Sequence, residues 1–328
     1  MRLFRHIRLK LICIVVCLAA SIAAHAKNDR CLDLIQDLTP AERLERPLKK
    51  MEKHFLRLSE SNEEPTPIFK KIRQAAYQAS LLAEVYGDVY GAPFHGIRAK
   101  INRLKSSLGK FVDAHNHLKL TVQLRKEHPQ LVSRGLIQYL ENNKKLRYEE
   151  LQDRITEDNW VLNSSGEVKA INKIRKKLSS NVVYVSAGST EDIFEFIDDH
   201  LKQITKQPYD MGDFSEGVHE FRKDIRFFLL FHNAFRGLFT VPAETVQKLE
   251  ADVKKLGMTK DAGEYMDVLY EYHREQGFSK KESMARTYNT VEGLYDVDEM
   301  GSIAGEVFDD LIELEMIVRL RYLIKNSH

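Results

Sequence analysis

The chain has 328 residues, 43% of them hydrophobic and 30% charged, with a formal net charge of +2. That length allows one large core or two domains of roughly 150 residues each. So balanced a charge excludes a globally basic surface, and any anion site has to come from local clustering. Eight prolines and sixteen glycines are few for the length, which points to helices.

The first 26 residues read as a secretory signal peptide. Arg2, Arg5, Arg8 and Lys10 precede a short apolar run over 11–20, and Ala24-His25-Ala26 places small residues for cleavage before Lys27. The alternative is an uncleaved anchor, but the run is shorter than the ~20 residues a spanning helix needs. No stable membrane span is expected after cleavage, and the expected address is secreted, in the periplasm. Losing those four cations takes the formal charge from +2 to −2. Cys13 and Cys17 leave with the signal, so Cys31 remains alone and no internal disulfide can form.

Thr39-Pro40-Ala41-Glu42 starts a helix expected to reach residue 58, with Thr39 and Glu42 as a capping box and Pro40 at its first position. Glu63-Glu64-Pro65 breaks it, and Thr66-Pro67 opens a second helix over 68–86. A third is expected over 95–126, ended by His128-Pro129, followed by two shorter helices over 131–141 and 148–155. Asn163-Ser164-Ser165-Gly166 is the clearest mid-chain loop. It divides the chain into a first helical half, 27–163, and a second, 164–328.

Beyond that loop, helices are expected over 168–178 and from Ser189-Thr190 to about 204. Val182-Val183-Tyr184-Val185 is a strand candidate too isolated to make a sheet. Asp213 and Glu216 precede a helix that is basic at its head and apolar on most sides thereafter. His219, Arg222, Lys223 and Arg226 form one stripe at i, i+3, i+4 and i+7, opposite Phe221, Ile225, Phe228, Leu229 and His232. Pro242 opens a helix expected to stop near Gly257, with another over 261–276. Ser279 and Glu282 form a further capping box. A last helix over 303–324 carries Val307, Leu311, Leu314, Ile317 and Leu320 in register.

Self-comparison shows a weak repeat. Residues 108–114 and 256–262 both read LGxxxDA, 148 apart, and Lys70, Arg73, Gln74 and Tyr77 fall 149 residues before His219, Arg222, Lys223 and Arg226. The expected architecture is all-α: two related antiparallel helical bundles about a pseudo-twofold, packed by ridges in grooves.

The basic stripe leading into apolar residues, with the two LGxxxDA segments, resembles the conserved histidine α-helical domain, CHAD. That resemblance implies two related helical halves that bind inorganic polyphosphate, or another phosphate-rich polyanion, in a basic cavity. It implicates His219, Arg222, Lys223 and Arg226, assisted by Lys70 and Arg73. The first half departs from the pattern, with Lys70 in place of the histidine and Gln74 and Tyr77 in place of Lys223 and Arg226.

The residues themselves leave alternatives. Buried cations need acids or a bound anion, and Asp113, Asp261, Glu220 and Asp224 could neutralise the stripe internally. The chain would then be a helical scaffold or adaptor with an envelope protein as partner. Asp113 or Asp261 could instead serve as acid or base on a phosphorylated envelope component. His115 and His117 diverge by about 200° on a helix and cannot share one metal; His115 is expected in the core. No cofactor or metal motif is present: HExxH, GxxxxGK[ST] and GxSxG are all missing. Phe227, Phe228, Phe231 and Phe235 read as core and not as a stacking platform, so nucleic acid is not an expected partner.

Overall fold

Thr39 begins the first helix as its sequence requires. Its hydroxyl accepts from the Glu42 amide at 3.3 Å, and the Glu42 carboxylate accepts from the Thr39 amide at 2.9 Å. The structure is a computed structural model that describes residues 38–61, 64–180, 190–235, 241–312, 317, 320 and 321. The signal peptide, Cys31, the strand candidate at 182–185 and most of the last helix beyond Ile312 lie outside the described residues.

Among the described residues the elements are α1 (Pro40–Glu60), α2 (Thr66–Tyr90), α3 (Ala92–Glu127), α4 (Arg134–Glu157), α5 (Lys169–Ser179), α6 (Thr190–Ile204), α7 (Gly217–Ala234), α8 (Ala243–Glu275), α9 (Lys280–Val291) and α10 (Val297–Ile312). The only strand-like pairing among them is one bridge between Leu162 and Val168, beside the 163–166 loop. The expected all-α class holds. No described helix is long and apolar enough to cross a membrane.

Two expected breaks do not occur. α4 is one helix where two short ones were expected, because neither Pro nor Gly stands between residues 141 and 148 and Asn142-Asn143 disfavour a helix only weakly. α8 likewise runs straight through Gly257. An interior glycine costs about 1 kcal/mol relative to alanine, too little to end a helix this well packed.

Neighbours in sequence pack as neighbours in space. α2 lies between α1 and α3, α3 packs on α4, and α8 packs on α7, α9 and α10. α5 packs on α1 and α3, where Arg175 donates to both Glu45 and Glu52 at 2.8 Å. The two sides meet where α2 packs on α6 and α7. A single apolar core runs through that junction, from Leu44, Phe69 and Phe111 to Phe221, Phe228 and Phe231. Tyr86 of α2 meets Phe235, just past α7, with centroids 5.9 Å apart. A smaller cluster joins Leu124 and Leu136 to Tyr265, Leu269 and Val291. There the Thr121 and Tyr265 hydroxyls lie 2.6 Å apart.

The α7 pattern is as expected: Val218, Phe221, Ile225, Phe228, Leu229, Phe231 and His232 are buried. His115 is a correction. It is only partly buried, with Nδ1 3.6 Å from Glu64, and the core histidine is His117, 7% exposed. His117 lies on nearly the opposite face of α3 from Leu104, Leu108 and Phe111, buried against Tyr265 of α8 with ring centroids 5.6 Å apart.

Candidate functional site

The site grows from two glycines inside long helices. Gly109 of α3 and Gly257 of α8 are both buried, and each lets an arginine lie flat across the helix. A Cβ at position 109 would fall 2.9 Å from Arg73 Nη2, and one at position 257 would fall 3.0 Å from Arg222 Nε. The glycines of the two LGxxxDA segments are therefore places of close approach, where any side chain would push a guanidinium away.

The ends of the two arginines differ. Arg73 Nη1 donates to Asp113 Oδ1 at 3.3 Å. Arg222 Nε donates to the Val253 carbonyl at 3.1 Å. The second-half aspartate, Asp261, pairs instead with Lys260 at 3.3 Å, and the buried Lys260 ammonium also donates to Glu264. Among the described residues, no carboxylate lies within ion-pair distance of Arg222, Arg226 or Lys105.

Arg226 and Lys105 converge with Arg73 on Tyr77 of α2. Arg226 stacks on its ring with Cζ 3.9 Å from the centroid, Lys105 Nζ stands at 4.9 Å and Arg73 Cζ at 5.7 Å. Cation–π contact holds like charges together where acids are absent. Burial opposes the Tyr77 phenolate, yet Arg73, Arg226 and Lys105 together hold the phenol below the ordinary tyrosine value. Burial pushes Arg226 down, against Tyr77, and Arg222 and Arg73 repel it further. Burial lowers Lys105, against Tyr77 and Glu84, and Arg98 and Arg226 lower it further.

The remaining predicted residues sit around this seam. His219 is partly buried, its Nδ1 without a hydrogen-bond partner in the protein. Burial first, then Lys260, keeps it below the ordinary histidine value. Lys223 is exposed and pairs with Glu220 at 2.6 Å. Lys70 is exposed and donates to Asn116 at 3.1 Å. Asp224 is taken by the Tyr209 hydroxyl at 2.6 Å. The structure thus gathers Arg73, Arg222 and Arg226, places His219 beside them, and leaves Lys70 and Lys223 on the surface.

Sequence reasoning missed Lys105, and it treated Tyr77 only as a departure. The signal for Lys105 was present: it lies four residues before Gly109, on the same helix face, so an arginine crossing Gly109 must pass it. The residue four before Gly257 is Val253, whose carbonyl takes Arg222.

Beside the seam a cleft of about 340 Å³ is lined by Asp113, His117, Lys119, Asp261, Glu264 and Tyr295, among others. Both motif aspartates face it. Burial raises Glu264, against the pull of Lys260. Among the described residues no group of His, Cys, Asp and Glu could hold a metal ion.

This is an all-α protein with a half-buried cationic seam between its two sides, and solved structures place its fold. The chain is similar to the CHAD domain from the plant Ricinus communis, at 13% identity and a TM-score of 0.53, over 82% of this chain and 93% of that one. It is similar also to PptA from Streptomyces chartreusis, at 13% identity and a TM-score of 0.56, over 83% of this chain and 100% of that one. No family model and no curated protein matches it. The fold is therefore CHAD-like, as the stripe and the LGxxxDA segments led one to expect.

Proposed function

We propose that the protein binds inorganic polyphosphate, or another phosphate-rich polyanion, without catalysis. One observation carries this reading: among the described residues, Arg222, Arg226 and Lys105 are half-buried at the junction of the two sides with no carboxylate within ion-pair distance, and Glu84, the acid that bears on Lys105, is already paired with Arg98. Burying an ionised group unpaired costs on the order of several kcal/mol, and a bound anion removes that cost. Arginine forks match phosphate oxygens in pairs. His219, depressed by its surroundings, gains a proton more readily once an anion is bound. The CHAD resemblance of the stripe points to the same ligand class. That Asp113 and Asp261 are each engaged by a cation supports binding over acid–base chemistry.

The N-terminal basic and apolar run supports export, with the periplasm as the site of action. The two arginine–glycine contacts support descent of the halves from one duplicated unit. The rival reading, a scaffold or adaptor that binds an envelope protein, is favoured by the Arg73–Asp113 and Lys223–Glu220 pairs, which neutralise part of the stripe internally.

Titration of the full chain with polyphosphate at two salt concentrations tests the proposal. Binding should weaken with salt. It should fall on the order of 100-fold when Arg222→Ala and Arg226→Ala are combined, since each charge-assisted contact contributes about 1.5 kcal/mol or more. A wild-type protein that does not bind at low salt contradicts the reading.

A further inference from the structure

The two basic stripes differ at their last position, and that difference has a chemical consequence. Tyr77 and Arg226 are matching positions, 149 residues apart, and the structure stacks one upon the other at 3.9 Å. Where the second stripe ends in a permanent cation, the first ends in a group that is neutral or negative according to pH. The ring is the common support of three cations, Arg73, Lys105 and Arg226.

Charged groups on α2, α3 and α7 face Tyr77. On its own helix stand Arg73, which is committed to Asp113, and Glu84, which is committed to Arg98 at 2.6 Å. From α3 come Lys105, Asp113 and Arg98; from α7 come Arg226 and, next to it, Arg222. The acids of this neighbourhood are already engaged by arginines. The phenol bears on both Arg226 and Lys105, and on Lys105 it outweighs Glu84.

We propose that the Tyr77 phenol regulates the seam: as a neutral phenol it leaves Lys105 and Arg226 to a phosphate-rich anion, and as a phenolate it becomes their internal counter-ion and competes with that anion. This rests on the anion-binding reading above. Sited among these charges, Tyr77 ionises below the ordinary tyrosine value of about 10, so competition begins at milder alkalinity than an exposed tyrosine would allow. Linkage makes the effect reciprocal: an anion bound in the seam must make Tyr77 harder to ionise, by the same factor that ionisation weakens binding.

The test is polyphosphate affinity of the full chain from about pH 7 to about pH 10, in wild type and Tyr77→Phe. The phenolate absorbance difference between the two proteins follows Tyr77 itself. The ratio of neutral to alkaline affinity should be about tenfold larger in wild type than in Tyr77→Phe, and saturating polyphosphate should move the Tyr77 titration up by about one pH unit. Identical pH profiles in the two proteins, or a Tyr77 titration that polyphosphate leaves in place, overturn the inference while neutral-pH binding keeps the anion reading intact. Absence of wild-type binding at about pH 7 removes the anion reading, and this inference with it.

Discussion

Arg73 and Arg222 make the same approach to the backbone and meet different electrostatics. Each lies across an interior glycine, with a Cβ at either position falling about 3 Å from the guanidinium. Arg73 ends on Asp113. Arg222 ends on a carbonyl, because the corresponding Asp261 is held by Lys260. One contact is an internally paired strut, and the other leaves a positive charge to be met from outside. A glycine–arginine crossing is thus closed by an acid on one side of the fold and left without one on the other, where Lys260 holds the matching aspartate.

The contrast can be broken in graded ways. The largest effect belongs to Arg226→Ala with Arg222→Ala, which should cut polyphosphate affinity on the order of 100-fold while helix content by circular dichroism persists. Arg73→Ala should do the reverse, lowering stability by about 1 kcal/mol in a denaturant titration and affinity by only a few-fold.

Freeing the paired arginine should make the two sides alike. Asp113→Asn leaves Arg73 without its acid and should tighten polyphosphate binding about fivefold, the equivalent of about 1 kcal/mol from one partly exposed pair. Gly257→Ala should weaken binding several-fold by displacing Arg222 a few tenths of an ångström. Stability should change by less than about 1 kcal/mol, because alanine is the better helix former. Gly109→Ala should move Arg73 off Asp113 and lower stability with little loss of affinity.

The smallest effect concerns pH. His117, buried in the cleft between the two motif aspartates, is depressed by burial, against Asp113. A histidine lowered on folding contributes stability above its unfolded value of about 6.5 and loses it as pH falls through the folded value. Thermal unfolding from about pH 7.5 to about pH 5 should show Tm falling on the acid side. His117→Gln should flatten that fall, whereas His115→Gln should change it less, since His115 is more exposed.

The sequence made the helices legible because caps and breakers are local. Thr39-Glu42 and Ser279-Glu282 form the capping boxes their spacing announces. The same locality misplaced the ends inside α4 and α8. There Asn142-Asn143 and Gly257 look like stops until tertiary packing outweighs their weak propensity. The buried face of α7 was readable from its period. The fate of its cations was not, since the choice between Asp113, Asp261 and a carbonyl depends on which side chain reaches first across helices far apart in sequence. Tyr77 shows the limit most clearly. Alone it looks like a lost cation; against Arg226 it is the surface on which a cation rests.

Binding through the α7 side of the seam would show most directly in its dependence on salt. Displacement of counter-ions from a polyanion makes log affinity fall linearly with log salt, with a slope that follows the number of cations engaged. Measured for wild type, Arg73→Ala and Arg226→Ala, the slope should become shallower by about one unit in Arg226→Ala and stay at the wild-type value in Arg73→Ala. Equal slopes in both variants, or a change confined to Arg73→Ala, would contradict the assignment of ligand binding to the α7 side of the seam.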